Sequence, residues 1–231
     1  MEYKKISIVI PAYNEEKTLS RVVESVISSD VDGLEKEIIL IDDCSTDATA
    51  KIITTFSQKE NIRAFRHKKN SGKGAALRTG FSKATGDILL IQDADLEYDP
   101  KEYRRLIEPI LSGSAMVVYG SRMANKNPVG YWYMYLGNYF ISLFAKILYG
   151  RKITDIETCY KVFTREVLEG LLFTSNDFGF EAEFSAYVLK KGFPITEIPI
   201  SYSPRKYTEG KKISWKDGVK ALWILWRNRW R

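Results

Sequence analysis

The feature that most constrains this 231-residue chain is an alternation of short β-rich runs with helical patterns over its first 120 residues. The runs are Ile6–Ile10, Glu37–Ile41, Arg63–Arg66, Asp87–Ile91 and Met116–Tyr119. Between them lie helical candidates at Glu15–Ser28, Asp47–Ser57, Lys73–Ala84 and Pro100–Ser112. Their starts carry helix-entry chemistry: acidic Glu15 and Glu16, the Ser45-Thr46-Asp47 cap, and Asp99 followed by Pro100. Such alternation predicts an α/β fold, a mostly parallel central sheet of Rossmann-like design flanked by helices. Sheets of that kind bind ligands beyond the carboxyl ends of their strands, so the residues that follow each run are the ones to read.

Those residues are polar and acidic. Pro11-Ala12-Tyr13-Asn14-Glu15 follows the first run, Asp42-Asp43 the second and Asp93-Ala94-Asp95 the fourth. Gly120-Ser121-Arg122 adds a cation after the fifth. Two carboxylates two residues apart after a buried strand can share a divalent cation with a diphosphate, because Mg²⁺ prefers few protein carboxylates plus phosphate oxygens. Glu97 is positioned to add a third oxygen. An acid at the end of a second strand accepts hydrogen bonds from a ribose or base in doubly wound nucleotide binders. Asn70-Ser71-Gly72-Lys73-Gly74 reads as a glycine-rich turn into a helix, offering N–H groups to anions and placing Lys73 beside the nucleotide. The single His67 sits in a basic loop and reads as solvated rather than catalytic.

The second half differs in character. Residues 131–149 hold eight aromatics and one charge, Lys146. Gly137, Asn138 and Ser142 fit a membrane span poorly; a helix lying in the interface or a packed core helix fits better. The charge balance is also uneven. Residues 1–200 carry 26 Lys/Arg against 27 Asp/Glu, whereas residues 201–231 carry 9 against 2. Four of the five tryptophans, Trp215, Trp223, Trp226 and Trp230, share that tail, and on a helical wheel they form an aromatic arc beside a basic one. That pattern predicts a C-terminal amphipathic helix over 213–231 lying on an anionic membrane surface. The alternative is a terminal helix packed on its own domain. Nucleic acid is not expected as a partner, since clustered tryptophans suit a membrane better than a phosphate-tracking patch. Cys44 and Cys159 stand in no metal-type spacing and read as reduced thiols. The first residues lack the pattern of a secretory leader.

Taken in order, Val9 to Glu16, Ile41 to Asp47 and Asp93-Ala94-Asp95 resemble family 2 glycosyltransferases of GT-A fold. More narrowly, Asp155-Ile156-Glu157-Thr158-Cys159-Tyr160-Lys161, Gly179-Phe180-Glu181-Ala182-Glu183 and Arg205 through Lys212 resemble dolichol-phosphate mannose synthases and other polyprenyl-phosphate glycosyltransferases. The resemblance covers about Ile6 to Gly218 and implies one catalytic domain over 1–231. It places Pro11, Tyr13, Glu15, Asp42 and Asp43 around the nucleoside, and Asp93, Ala94 and Asp95 at the diphosphate. Mg²⁺ or Mn²⁺ is then expected on Asp93 and Asp95, with Glu97 where relatives often have Gln. It places Arg122 near the acceptor phosphate, Arg205 and Lys211 over the phosphates, and Glu181 and Glu183 at the sugar or acceptor. A second acceptor arginine common in relatives has no counterpart here, where Tyr133-Met134-Tyr135 stands.

The expected reaction moves one sugar from GDP-mannose or a UDP-hexose to polyprenyl or dolichyl phosphate with inversion. A lipid monophosphate arrives ionised, with a second pKa near 6, so its oxygen can attack without the general base that a hydroxyl acceptor requires. The expected setting is peripheral, on the cytoplasmic face of a membrane, with room for a membrane-spanning partner subunit. Other readings are a family 2 enzyme with a saccharide or lipid hydroxyl acceptor, and a non-catalytic nucleotide-sugar or membrane-binding module. The intact Asp93/Asp95 pair argues against that module.

Overall fold

The structure, a computed structural model, describes residues 2–124, 127, 132–171, 173–205 and 215–230. Seven strands form one sheet: β1 (Lys5–Ala12), β2 (Glu35–Asp42), β3 (Ile62–Arg66), β4 (Ile88–Ile91), β5 (Val117–Ser121), β6 (Lys161–Thr164) and β7 (Ile195–Pro199), in the order β3-β2-β1-β4-β6-β5-β7. β1 pairs in parallel with β2 and β4, with Ile8 opposite both Ile38 and Leu90. β2–β3 and β5–β7 are also parallel. Only β6 runs antiparallel, between β4 and β5. The central strands are covered on both faces, which is why Ile38-Ile39-Leu40-Ile41 and Ile88-Leu89-Leu90-Ile91 are unbroken apolar runs rather than alternating ones.

The helices are α1 (Leu19–Ser28), α2 (Thr49–Phe56), α3 (Lys73–Lys83), α4 (Tyr103–Leu111), α5 (Trp132–Tyr149), α6 (Phe180–Lys191) and α7 (Trp215–Trp230). α1 starts four residues later than its acidic residues suggest, after a turn closed on Glu15 O, and the N–H groups before it are bonded by side chains of the segment after β2. Asn14 N bonds Ser45 Oγ, Glu15 N bonds Thr49 Oγ1 and Glu16 N bonds Asp47. Residues 13–18 are thereby tied to the turn after β2, and Glu15 O leads into α1 by accepting from Thr18 N at 3.1 Å and Leu19 N at 2.9 Å. Asp99 does cap the segment before α4, accepting from Lys101 N, with a 3₁₀ turn at Pro100–Glu102.

α5 and α7 pack on each other, and α7 also lies on α6. α7 buries Ala221, Ile224 and Leu225, and Leu225 O accepts from Tyr149 Oη at 2.7 Å. Its opposite face leaves Val219, Trp223, Trp226 and Trp230 more than half exposed. α5 likewise exposes Trp132, Tyr133, Leu136, Tyr139, Phe140 and Ile147 while burying Asn138, Ile141, Ser142 and Ala145. The tail is therefore a helix packed on its own domain on one side, with an aromatic surface on the other. No helix among the described residues is long and apolar enough to cross a membrane.

Candidate active site

The carboxyl ends of β1, β2, β4 and β5 meet the entry to antiparallel β6 and the start of α6 along one edge of the sheet. There they line a cavity of about 740 Å³. Pro11, Tyr13, Glu15, Asp43, Lys73, Asp93, Ala94, Asp95, Glu97, Arg122, Glu181 and Arg205 all contribute to its wall. Chain positions up to 194 residues apart are thus brought together by the strand order.

Two cations hold the acidic edge. Lys73, the first residue of α3, reaches Asp93 Oδ1 at 2.8 Å and Glu181 Oε1 at 2.8 Å. Burial works against its ammonium, but Asp93 and Glu181 outweigh that and keep its pKa above the ordinary value. Arg205 donates to Asp95 Oδ2 at 2.9 Å and to Glu15 Oε2 at 3.0 Å. Burial, then the charges of Asp93 and Glu97, still push the Asp95 carboxyl up to about 7. Glu97 itself ties down the chain after β7, accepting from Arg205 N at 2.7 Å and Tyr202 Oη at 2.8 Å.

Beside this edge, Arg122 forms a two-pronged pair with Asp155, Nε to Oδ2 at 2.8 Å and Nη2 to Oδ1 at 2.7 Å. Its guanidinium lies 5.2 Å from the Tyr202 ring centre. Burial raises the Asp155 carboxyl, and Arg122 outweighs it and holds the acid below its usual range. Asn138 of α5 donates to the same carboxylate at 2.9 Å. Arg122 is therefore a rigid cation in the cavity wall.

No group of three His, Cys, Asp or Glu side chains arranged to hold a metal ion is found among the described residues. The chemistry of Asp93 and Asp95 still fits a hard divalent cation: two carboxylates that would supply oxygen ligands, one raised in pKa by burial and then by the charges of Asp93 and Glu97.

Several expected residues sit elsewhere or do other work. Asp42 is fully buried behind the cavity wall, accepting from Ser45 N at 2.8 Å and pairing with Arg66 at 3.0 Å, so it shapes the turn and leaves Asp43 to face the cavity. Two N–H groups of the glycine-rich turn, Ser71 N and Gly72 N, are taken by the Asp43 carboxylate, at 2.9 and 2.7 Å. Its glycines answer a packing need. Gly72 has φ +92°, and a Cβ there or at Gly74 would lie 2.3 Å from a carbonyl oxygen of the 175–176 segment. His67 is not solvated; Nδ1 meets Asp43 at 2.7 Å and Nε2 meets Thr79 Oγ1 at 2.9 Å. Glu183 faces away from the cavity, accepting from Thr174 N, Ser175 N and Arg227. Glu181 and Glu183 stand two apart on a helix and cannot share a face. Lys211 lies outside the described residues. Glu157, within a quoted motif but given no role, does line the cavity. The tail cations are less free than their wheel suggests: Lys220 pairs with Asp177, and Arg227 with Glu183 at 3.5 Å.

Residues 7–172 match the model of glycosyl transferase family 2. The chain is 33% identical over 214 residues to a dolichol-phosphate mannosyltransferase of Pyrococcus furiosus, an alignment covering 90% of this chain and 59% of that one. The chain thus spans little more than half of that relative's length. It is 27% identical over 228 residues to an uncharacterised protein of Methanocaldococcus jannaschii, covering 96% of this chain and 90% of that one. Among solved structures, glucosyl-3-phosphoglycerate synthase of Mycobacterium tuberculosis with Mn²⁺, UDP and glucosyl-3-phosphoglycerate superposes with a TM-score of 0.75 at 22% identity, over 97% of this chain and 80% of that one. The same enzyme with UDP gives 0.77 over 98% and 80%. These likenesses establish the shared GT-A fold, and with the family match they show that the chain belongs to glycosyl transferase family 2.

Proposed function

We propose that this protein is a single-domain, metal-dependent enzyme that moves one sugar from a nucleotide-sugar to polyprenyl or dolichyl phosphate, with inversion, on the cytoplasmic face of a membrane. The observation that carries this reading is the mixed lining of the cavity. Its wall combines the charged Asp93, Asp95, Arg122 and Arg205 with the apolar Tyr133, Met134, Phe140 and Ile141 of α5 and Val219 and Leu222 of α7. Gly137 sits in that apolar wall with nothing within 4 Å of the place a Cβ would take. A phosphate head beside Arg122 with its hydrocarbon against the apolar side chains of α5 and α7 suits this lining. The outer faces of both helices carry the exposed aromatics that suit a membrane interface.

Asp93 and Asp95 would hold Mg²⁺ or Mn²⁺, whose chemistry is to neutralise the charge of the departing nucleoside diphosphate. Asp43, Pro11 and Tyr13 line the nucleoside side. Arg205 has a buried Nε without an acceptor among the described residues, a donor available to a phosphate. Arg122, held by Asp155, presents its charge to the acceptor phosphate. That phosphate is its own nucleophile, so no protein base has to take a proton. Support for this narrower reading comes from the dolichol-phosphate relative, whereas a structural neighbour is crystallised with phosphoglyceric acid, the small phosphorylated acceptor to test against it. Offering radiolabelled GDP-mannose or UDP-glucose with polyprenyl phosphate, Mg²⁺ or Mn²⁺ and vesicles tests it: label extracted with the lipid is expected, and label found only on added phosphoglycerate overturns it.

A further inference from the structure

Two carboxyl oxygens at the floor of the cavity are buried with nothing to bind. Glu157 Oε1 and Glu181 Oε2 each lack a hydrogen-bond partner, and both residues line the cavity. Glu181 is 4% exposed, and its other oxygen is held by Lys73 at 2.8 Å. The Glu157 carboxyl takes part in no hydrogen bond or ion pair among the described residues. It is the main chain that holds Glu157 there. Its N–H donates to Asn138 Oδ1 at 3.3 Å, and Lys161 Nζ donates to the two flanking carbonyls, Ile156 at 2.9 Å and Thr158 at 2.6 Å. The buried lysine that would ordinarily neutralise this acid is thus spent on shaping its turn. Burial, then the charge of Glu181, pushes the Glu157 carboxyl up to about 8.

An unmet buried polar oxygen costs folding free energy and calls for an explanation. Here the explanation follows from position. Lys73 links Asp93 of the diphosphate edge directly to Glu181 of the floor, so whatever hangs from the diphosphate comes to rest against Glu157 and Glu181. A hexose presents a row of hydroxyl donors there, and carboxyl oxygens are their natural acceptors. We propose that Glu157, together with Glu181, reads the hydroxyls of the donor hexose and so determines which sugar is accepted. This rests on the nucleotide-sugar transferase reading. A site built to hydrogen-bond a hydroxyl rejects donors that lack one, because the protein oxygen is then left unpaired.

The test compares binding of UDP and GDP with binding of UDP-glucose and GDP-mannose by calorimetry, in the wild type, Glu157→Leu and Glu157→Gln. Glu157→Leu is expected to bind the nucleoside diphosphates like the wild type and its preferred nucleotide-sugar about 10-fold more weakly, the upper range for a lost hydrogen bond to a neutral group. Its melting temperature at pH 8 is expected to be no lower than that of the wild type. Glu157→Gln, which keeps an acceptor oxygen, should fall between them in sugar binding and guards against a misfolded leucine variant. Equal nucleotide-sugar affinity in all three proteins, or a parallel loss for diphosphates and nucleotide-sugars, overturns the assignment alone. A wild type that binds no nucleotide-sugar overturns the transferase reading and this assignment with it.

Discussion

At the proposed metal site a divalent cation would compete with Arg205 for Asp95, so replacing Arg205 with methionine should weaken the metal-free fold while tightening cation binding. The guanidinium side chain is 16% exposed and sits 2.9 Å from Asp95 and 3.0 Å from Glu15. Even with Arg205 in place, Asp95 is pushed up to about 7. Removing one partner of a well-buried pair costs about 3–5 kcal/mol; at the rim of a solvent-filled cavity about 2 kcal/mol is reasonable. For a chain of this size that is roughly 4–8 °C in melting temperature. The methionine variant no longer makes an incoming Mn²⁺ displace a guanidinium from Asp95, and about tenfold tighter binding, worth about 1.4 kcal/mol, is expected without nucleotide. Calorimetric titration with Mn²⁺ and melting with and without it read both effects. The gain should be largest above pH 7, where Asp95 is ionised without a proton. The same variant should lose transfer, because the phosphates lose a donor. Unchanged or weaker Mn²⁺ affinity would refute the idea that Arg205 and the cation share Asp95.

Two further expectations follow from burial and exposure. Trp223 and Trp226 are each 52% exposed; roughly 100 Å² apiece at about 25 cal/mol/Å² gives an upper bound of about 2.5 kcal/mol each on full burial. The double alanine variant should lose at least about tenfold in flotation with anionic vesicles; unchanged flotation would leave these helices without a membrane role. Because Lys220 and Arg227 are engaged in ion pairs, the salt dependence of that binding should be shallow. Glu157 titrates near 4.3 when unfolded and at about 8 in the fold. The folded state therefore binds more protons across that window, and the group's stabilising contribution, complete below pH 4, is lost as pH rises toward 8. Relative to Glu157→Gln, the wild-type melting temperature should fall between pH 5 and pH 8; parallel curves would show that the carboxyl titrates normally.

The strand-end reading of the sequence carried far because a parallel sheet delivers its loop residues to one edge regardless of helix detail, which is how Asp43, Asp93, Asp95 and Arg122 meet. Less was legible where tertiary partners decide. The four-residue β6 has too little sequence to announce its antiparallel direction, and with it the placement of Glu157 at the cavity floor stayed hidden. The segment before α1 is held by Ser45, Thr49 and Asp47, side chains some thirty residues away that its own sequence does not reveal. Glu183 was a different case, since the two-residue spacing from Glu181 on a helix already assigns it to another face. The doublet Asp42-Asp43 gave no such signal; only burial separates the turn-shaping acid from the one that faces the cavity.

The central claim is that the acceptor is a lipid phosphate whose chain lies between α5 and α7. The most direct measurement supplies the enzyme, in one tube, with labelled donor, Mn²⁺, polyprenyl phosphate in vesicles and 3-phosphoglycerate. Label recovered in the organic phase, and lost when Asp95 is changed to alanine, is the expected result. Label recovered only in water-soluble glycosyl phosphoglycerate would contradict the account.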